Sequence, residues 1–404
     1  MAKLILTDRQ AIMPVQLIDT DSQLGLPEKG IALCLSGGGY RAMLFHLGVL
    51  WRLNEVGYLP KIDRISSVSG GSIIAALLGL KWAKLSFDQQ VVGQQFVTEI
   101  VEPLRRLAST TIDVGAIIGG VLLPGSISDQ VIHAYQEHLF GPATLQDLPD
   151  WPCFVINATN VQSGALWRFM KPYMRDYRVG EVKNPQVKLA VAVAASTAFP
   201  PFLSPVQLKL QPADYLPNSG QDLQDEPFTT DVVLTDGGVY DNLALETAWK
   251  RYDTILVSDA GGCLTAEADP KNDWARHTFR VLEMIDNQVR ALRKRQVIES
   301  FKLYERIIAQ GVSLDNELFR LTARKGAYWG IRSDVAHYEL ADALACSVDQ
   351  TTELAAIPTR LKSLEVDIQT RLINWGYAIC DAGMRRHVDP TLPAPGFPYP
   401  IGVG

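Results

Sequence analysis

The stretch Ser36-Gly37-Gly38-Gly39-Tyr40-Arg41 follows the apolar run Gly30-Ile31-Ala32-Leu33-Cys34-Leu35 and precedes a helix-like segment. A continuous apolar run of this length is typical of a strand that is buried on both faces. Consecutive glycines let the backbone approach a ligand closely, and the N–H groups at the start of the following helix face a negative charge placed there. The stretch therefore predicts an anion-binding loop between a strand and a helix, in an α/β fold.

A second turn of the same kind, Ser67-Val68-Ser69-Gly70-Gly71-Ser72, lies between the strand-like run Arg64–Val68 and the apolar run Ile73–Leu78. Ser69 is expected on the sharp strand-to-helix corner, which is the geometry of a nucleophile elbow, and Gly70 and Gly71 complete that elbow. The Gly-x-Ser-x-Gly pattern is met only in part, because serine replaces its first glycine. Taken alone, the turn also fits a loop that is rich in serine and glycine and has no chemistry.

Three later segments favour a catalytic interpretation. Asp236 begins an Asp-Gly-Gly turn directly after the strand-like run Asp231–Leu234, and open α/β sheets place their sites at such strand ends. Val193–Phe202 supplies small residues followed by prolines, and Val155–Asn160 predicts another buried strand. The sequence thus contains a serine, a carboxylate and a glycine loop, each at a predicted strand end.

With these blocks in place, the chain closely resembles the patatin-like phospholipases, a family of lipid acyl hydrolases related to the catalytic domains of cytosolic phospholipases A. A Gly-Gly-Gly-x-Arg loop, a serine elbow, an Ala-Ser-x-Ala-x-Pro block and an Asp-Gly-Gly motif mark the family. The chain carries all four in this order, at Gly37–Arg41, Ser69–Gly71, Ala195–Pro200 and Asp236–Gly238. The resemblance covers about residues 28–262, with Ser67 and Ala42 at two positions where glycine is usual.

The resemblance implies a Ser-Asp dyad, with Ser69 as the nucleophile and Asp236 as its base. It also implies an oxyanion hole formed by backbone N–H groups of the loop Gly37, Gly38 and Gly39. Arg41 either orders this loop or contacts a phosphate of the substrate. The expected reaction is hydrolysis of carboxylic esters of membrane lipids through an acyl-enzyme, of phospholipase A or lysophospholipase type.

Two other residues near these motifs are expected to have structural roles. His46 falls within the helix after the glycine loop, where a buried, hydrogen-bonded histidine is the favoured interpretation. Asp241 is the rival carboxylate to Asp236, but it lies beyond the two glycines, where it is expected to cap the following helix.

Composition and spacing exclude several other classes. His133 and His138 are five residues apart, so they miss the spacing that places two ligands on one helix face, and no Cys-x-x-Cys pair occurs. We therefore expect no metal and no cofactor. A net charge of -6 gives no support to nucleic-acid binding. Five scattered cysteines suggest free thiols in a reducing cytoplasm, and the oligomeric state stays open.

Membrane contact is expected to be peripheral. The first residues lack the apolar core of a signal peptide, and the apolar runs Val114–Leu123 and Ala190–Phe199 are too short to span a bilayer. Residues 100–124 either form a lipid-facing lid or pack on the core. The basic cluster Arg290–Arg295 either attracts anionic headgroups or forms a solvated helix face.

The alternation of strand-like and helix-like runs continues to about residue 262 and then becomes mainly helical. We therefore predict a three-layer α/β/α patatin-like sandwich with a mostly parallel central sheet. The expected division is a catalytic domain at residues 1–265 and a helical C-terminal extension at 266–404, packed on it. Long helices are predicted over about residues 273–310 and 361–384.

Other function classes stay open at this level. Gly37-x-Gly39-x-x-Ala42 after a strand matches the dinucleotide-binding fingerprint, but the second strand ends in Ser66-Ser67-Val68 and lacks the acidic residue that would hold the ribose. The same dyad also fits a carboxylesterase or thioesterase that acts on smaller substrates. A noncatalytic lipid-binding protein that keeps the fold is the remaining alternative.

Overall fold

The computed structural model describes residues 26–87, 92–112, 127–201, 203–262, 264–313 and 316–404. Within these ranges ten strands form one sheet. They are β1 (Glu28–Leu35), β2 (Arg64–Val68), β3 (Cys153–Asn160), β4 (Leu166–Phe169), β5 (Tyr173–Asp176), β6 (Gly180–Lys183), β7 (Val206–Lys209), β8 (Asp231–Asp236), β9 (Tyr252–Asp259) and β10 (Lys325–Gly330).

The helices lie between and after these strands. They are α1 (Gly39–Glu55), α2 (Gly70–Lys81), α3 (Glu102–Ala108), α4 (Ile127–Tyr135), α5 (Leu189–Ser196), α6 (Gly238–Asp241), α7 (Glu246–Trp249), α8 (Trp274–Ala309), α9 (Glu317–Thr322), α10 (Val348–Ala355) and α11 (Val366–His387). A π-helical turn, Val97–Val101, leads into α3, and a second one, Gln136–Phe140, follows α4.

The sheet is parallel at its centre. The strand order is β10-β9-β1-β2-β3-β4-β5-β6, and β8 pairs with both β3 and β7. Strands β10, β9, β1, β2 and β3 run parallel to one another, whereas β4 to β8 are joined by antiparallel pairings. Helices cover both faces, which confirms the predicted three-layer α/β/α sandwich.

The apolar run before the glycine loop is buried on both faces of the sheet, as expected. Leu33 and Leu35 of β1 point into a core shared with α1, α2, α5 and α11. Ala32 and Cys34, which alternate with them, point into a second core shared with α7 and α8. Side chains of successive strand residues point to opposite faces, so one strand supplies both cores.

The C-terminal residues enter the same sheet and the same core. Strand β10 pairs in parallel with β9, a pairing that sequence analysis did not predict. Helix α11 packs on α1 so closely that a Cβ on Gly376 would overlap the carbonyl oxygen of Phe45. A buried ion pair also joins the two helices, with 2.8 Å between Arg52 Nη2 and Asp381 Oδ1.

The two long C-terminal helices are present as α8 and α11, close to their predicted bounds. Of residues 100–124, the part up to 112 is described, and there Ile100, Val101, Leu104, Leu107 and Ala108 are buried in the core. This part therefore packs on the core. Residues 113–126, which include the second part of the candidate lid segment 100–124, lie outside the described residues.

We expect Gly376→Ala to destabilise the protein by about 2 kcal/mol, since overpacking a helix crossing forces the backbones apart. Gly396→Ala is the matched control, because an added Cβ there meets no atom within 4 Å. Chemical denaturation measures both variants. Equal midpoints for the two would contradict the close approach of α1 and α11.

Candidate active site

Ser69 lies on a sharp corner between β2 and α2. Its φ of 52° and ψ of -123° are rare for a residue with a side chain, and such strain is found where the surrounding structure enforces it. The surroundings are close: a Cβ on Gly70 would overlap the Gly39 carbonyl oxygen, and one on Gly71 would overlap that of Leu35. Only glycines at these two positions let the Ser69 turn rest on the loop between β1 and α1.

A buried serine from a third segment supports this corner. Ser196 Oγ accepts a hydrogen bond from the Ser69 backbone N–H at 2.9 Å and donates one to Asn157 O at 2.7 Å. Ser72 Oγ lies 2.9 Å from the same atom. Ser196 belongs to the Ala-Ser-x-Ala-x-Pro block, so the sequence contained a signal for this position, although its role was not assigned.

Serine fits at position 67 because its hydroxyl has partners. Ser67 Oγ donates to Val155 O at 3.1 Å on the neighbouring strand β3 and accepts from Ser72 Oγ at 3.0 Å. A buried hydroxyl costs free energy when it is unpaired, so these bonds offset its burial. The substitution for the usual glycine is therefore accommodated without opening the elbow.

Asp236 ends strand β8, which runs in the direction opposite to its neighbour β3. Sequence analysis placed it at the end of a strand in a parallel sheet, but β8 runs antiparallel to β3, with Asp236 opposite Ala158. Strand β3 in turn pairs with β2, whose last residue, Val68, precedes Ser69. The register of two strand pairs therefore brings the carboxyl group beside Ser69.

The Asp236 carboxyl group is buried, with 3% of its surface exposed. Burial raises its pKa to about 7, against the opposing effect of hydrogen bonds from the Gly238 N–H and the Ser69 hydroxyl. Oδ1 accepts from Gly238 N at 2.7 Å, whereas Oδ2 has no hydrogen bond of ordinary geometry within the described part of the chain. The carboxyl oxygen Oδ2 is thus available as a proton acceptor.

The glycine loop presents two N–H groups. Gly38 and Gly39 have φ of 142° and 61°, conformations that glycine adopts without strain. Their N–H groups make no hydrogen bond with any residue described, and both glycines line the same cavity as Ser69. Gly37 differs, because its N–H donates to Asn242 Oδ1 at 3.1 Å and to Asn242 O at 3.2 Å. Of the three glycines that were predicted to form an oxyanion hole, Gly38 and Gly39 are therefore the two whose N–H groups have no partner among the described residues.

Arg41 is buried and bonded to the protein itself. Its Nε donates to Ala260 O at 3.1 Å, its Nη2 to Thr359 Oγ1 at 3.2 Å, and its Nη1 to Ile357 O. Of the two roles that the sequence left open, these contacts support the ordering of the loop rather than contact with a substrate phosphate. They also bring the segment at 357–361, which carries no motif, to the site.

The two rival residues have structural roles. His46 is buried with Nδ1 2.8 Å from Ser258 Oγ and Nε2 3.0 Å from Ser36 O, and burial lowers its pKa to about 4. It is therefore neutral at pH 7, and both of its ring nitrogens are bonded within the fold. Asp241 accepts from the N–H groups of Leu243 and Glu246 and so caps the start of α7.

The basic cluster on α8 does not form one solvated face. Arg290 is buried and donates to Gly262 O at 2.7 Å, and Arg293 pairs with Asp241 and Glu246. Arg295 differs from the other two arginines of this cluster, because its hydrogen bond goes to Ala291 O of its own helix. Most of the cluster thus faces the protein.

A cavity of about 610 Å³ joins these groups. Ser69, Asp236, Gly38 and Gly39 line its floor. Its walls come mainly from apolar side chains of three segments, namely Phe199, Leu203, Phe279, Leu282, Ile285, Ile357 and Leu361. Helix α8 contributes a titratable wall residue, Asp286, which raises the pKa of Asp236 further by charge repulsion. Sequence analysis missed this residue because nothing in the motifs connects α8 to the site.

The model of the patatin-like phospholipase family matches residues 33–249, more than half of the chain. The chain belongs to the patatin-like phospholipase family. It is therefore a member of a family of lipid acyl hydrolases, and the matched residues include the serine turn, the glycine loop and Asp236.

Individual relatives are more distant. The triacylglycerol lipase ptl3 of Schizosaccharomyces pombe is 29% identical over 180 residues, which are 44% of this chain and 35% of the lipase. Human GIVD cytosolic phospholipase A2 aligns with 95% of this chain and 61% of its own, at 13% identity and a TM-score of 0.47. VipD of Legionella pneumophila aligns with 94% of this chain and 73% of its own, at 15% identity and a TM-score of 0.37.

The described ranges contain no helix that is long and apolar enough to cross a membrane. In the same ranges no group of three or more His, Cys, Asp or Glu side chains is arranged to hold a metal ion.

We expect Asp236→Asn to make the folded protein more stable at pH 8. Between pH 3.8 and about 7 the folded state holds a proton on Asp236 that the unfolded state has lost, so stability falls as pH rises through this window. Asparagine does not ionise, so the variant avoids this loss of unfolding free energy, which amounts to up to about 4 kcal/mol at pH 8. Its amide oxygen can still accept the hydrogen bond from Gly238. Chemical denaturation of the variant and the parent at pH 8 and at pH 4 measures the difference in their unfolding free energies. If this difference is no larger at pH 8 than at pH 4, the raised pKa is contradicted.

Proposed function

We propose that this protein is a serine lipid acyl hydrolase of phospholipase A or lysophospholipase type, with Ser69 as nucleophile and Asp236 as base. The observation that carries the proposal is the junction of three groups at one cavity. A strained serine, a buried carboxyl group beside it and two backbone N–H groups that have no partner among the described residues meet there. These are the parts that acyl transfer requires.

In the acylation step, Ser69 Oγ attacks the ester carbonyl while Asp236 accepts the hydroxyl proton. The carbonyl oxygen gains negative charge, which the N–H groups of Gly38 and Gly39 stabilise at the start of α1. Collapse of the tetrahedral intermediate breaks the ester bond. The leaving alcohol takes the proton from Asp236, and the fatty acyl group stays on Ser69.

In the deacylation step, Asp236 accepts a proton from water as the water oxygen attacks the acyl-enzyme. The same two N–H groups hold the second oxyanion. Ser69 Oγ leaves with the proton from Asp236, and a free fatty acid is released. Because Asp236 must be ionised at the start of each step, its pKa of about 7 places the acidic limb of activity near neutral pH.

The cavity favours a lipid over a small ester. Its volume of about 610 Å³ and its apolar walls match a long acyl chain rather than a short soluble acid. A carboxylesterase or thioesterase with the same dyad is tested by comparing short-chain soluble esters with long-chain phospholipid vesicles. A preference for the soluble esters would contradict our assignment and favour a carboxylesterase or thioesterase.

The deciding experiment is fatty-acid release from mixed phospholipid vesicles by the protein and its Ser69→Ala and Asp236→Asn variants. We expect each variant to lose at least about 1,000-fold in rate, since each removes a group that acts in the reaction. Labelling by a fluorophosphonate is expected in the parent protein and absent in Ser69→Ala.

Matched controls change the same residue types elsewhere. Asp231→Asn alters the exposed first residue of the same strand β8, and Ser109→Ala removes an exposed hydroxyl after α3. Both are expected to keep full activity. A parent protein that is neither labelled nor active on any ester would overturn the proposal and favour a noncatalytic lipid-binding role.

We further propose that the lipid surface meets the cavity at α8. Leu282 and Ile285 line the cavity wall and are also 50% and 54% exposed. Val281 and Met284 on the same stretch of helix are exposed too. Apolar side chains at the rim of a lipid-sized cavity partition into a bilayer surface, which shortens the path of an ester into the site.

Ile285→Glu is expected to reduce flotation with phosphatidylcholine vesicles about tenfold or more, because it places a charge where an apolar side chain enters the lipid surface. Ile308→Glu is the control: it is 51% exposed on the same helix, about 35 Å away. Unchanged flotation of Ile285→Glu would remove α8 as the contact surface.

A further inference from the structure

A second, smaller cavity lies beside the catalytic one and has a different chemistry. Its volume is about 270 Å³, and Gly261, Asn287 and Arg290 line both cavities. The other walls are polar side chains from α8 and from the end of β10, chiefly Lys294, Tyr328 and Arg332. No part of the proposed reaction uses these groups.

Positive charge is in excess around this cavity. Of the residues described, Arg290, Lys294 and Arg332 line it, against a single carboxylate, Asp259. That carboxylate already accepts hydrogen bonds from Tyr328 Oη at 2.6 Å and from Gly261 N at 2.9 Å. Asp286 acts on Arg290 from the side of the catalytic cavity. Asp286 and Asp259 are thus two carboxylates against three cations, so one positive charge stays unbalanced.

The environment of Lys294 reflects this excess. Its ammonium group lies 4.4 Å from the centre of the Tyr328 ring, which holds it at the cavity wall. Burial lowers its pKa, Asp259 opposes that effect, and the neighbouring Arg332 and Arg290 lower the pKa further. A bound anion would remove this repulsion, because it would supply the charge that the cavity lacks.

The position in the sheet is the one where α/β proteins bind ligands. Asp259 ends β9 and Gly330 ends β10, and both strands run parallel to β1 and β2, whose ends carry the glycine loop and Ser69. The second cavity thus opens at the same edge of the sheet. Two strand spacings separate β9 from β2, or about 10 Å, so the second cavity and Ser69 lie close together along this edge.

We propose that the second cavity binds a phosphate group, with Arg290, Lys294 and Arg332 as its ligands. Arginine guanidinium groups match the geometry of phosphate oxygens, and a lysine adds a point charge. The phosphate belongs either to the headgroup of a lipid whose ester lies at Ser69, which rests on the proposed function, or to a soluble phosphorylated molecule. The experiment separates these two sources.

The first arm measures binding of inorganic phosphate by isothermal titration calorimetry at constant ionic strength. It uses Ser69→Ala, so that the result does not depend on turnover. Adding Lys294→Gln and Arg332→Gln together is expected to weaken binding at least about tenfold, since charge-assisted hydrogen bonds are lost. The matched control adds Arg295→Gln and Lys302→Gln, which remove two exposed cations from the same helix and are expected to leave binding unchanged.

The second arm measures hydrolysis of phosphatidylcholine and of diacylglycerol with identical acyl chains in mixed micelles, with Ser69 intact. If the headgroup is the source, Lys294→Gln/Arg332→Gln raises KM for phosphatidylcholine about tenfold and leaves that for diacylglycerol unchanged. If the source is soluble, the two lipids respond alike while phosphate binding is still lost.

Equal phosphate binding by the parent and the double variant, or no binding by the parent, would overturn the proposal. Failure of the proposed function is distinct from this result: a protein that hydrolyses neither lipid would refute the hydrolase assignment, whereas the titration on Ser69→Ala would still decide whether the phosphate site exists.

Discussion

The direct backbone contact between the Ser69 turn and the glycine loop is the constraint on which the site depends. Gly70 and Gly71 have no Cβ, so the start of α2 lies against the carbonyl oxygens of Gly39 and Leu35. This contact holds the serine beside the N–H groups of Gly38 and Gly39 and forces the positive φ at Ser69. Two helix N-termini therefore meet at one point, and both would stabilise the negative charge that develops in the proposed reaction.

Burial of Asp236 links stability to function. Removing a carboxyl group from water raises its pKa toward the pH at which the proposed mechanism requires it to accept a proton, and the same burial destabilises its ionised form. Asp286 adds to this effect from α8. In the proposed mechanism the site thus loses folding free energy at neutral pH and gains a base of suitable pKa, which is a common relation between stability and activity.

The C-terminal third of the chain completes the site. Arg41 at the start of α1 donates to Ile357 O and Thr359 Oγ1, and Tyr40 N donates to Arg360 O at 3.0 Å. Helix α8 supplies apolar side chains to the wall of the cavity at Ser69, and it supplies Arg290 and Lys294 to the wall of the second cavity. The helical segment after residue 265 is thus an integral part of the cavity, because α11 and β10 anchor it in the central core and sheet.

The sequence by itself determined the four motif blocks and the parallel strands β1 and β2, and it singled out Ser69, Asp236, Gly38 and Gly39. The glycine loop and the serine turn are local strand-turn-helix patterns with their own backbone requirements, so a local pattern was enough to recognise them. Only the tertiary structure decided the rest. The antiparallel register of β8 against β3 brings Asp236 to Ser69. The Gly37 N–H donates to Asn242, and the Arg41 guanidinium donates to Ala260 O. These contacts join residues that are distant in the chain, and no local pattern encodes which of them will meet.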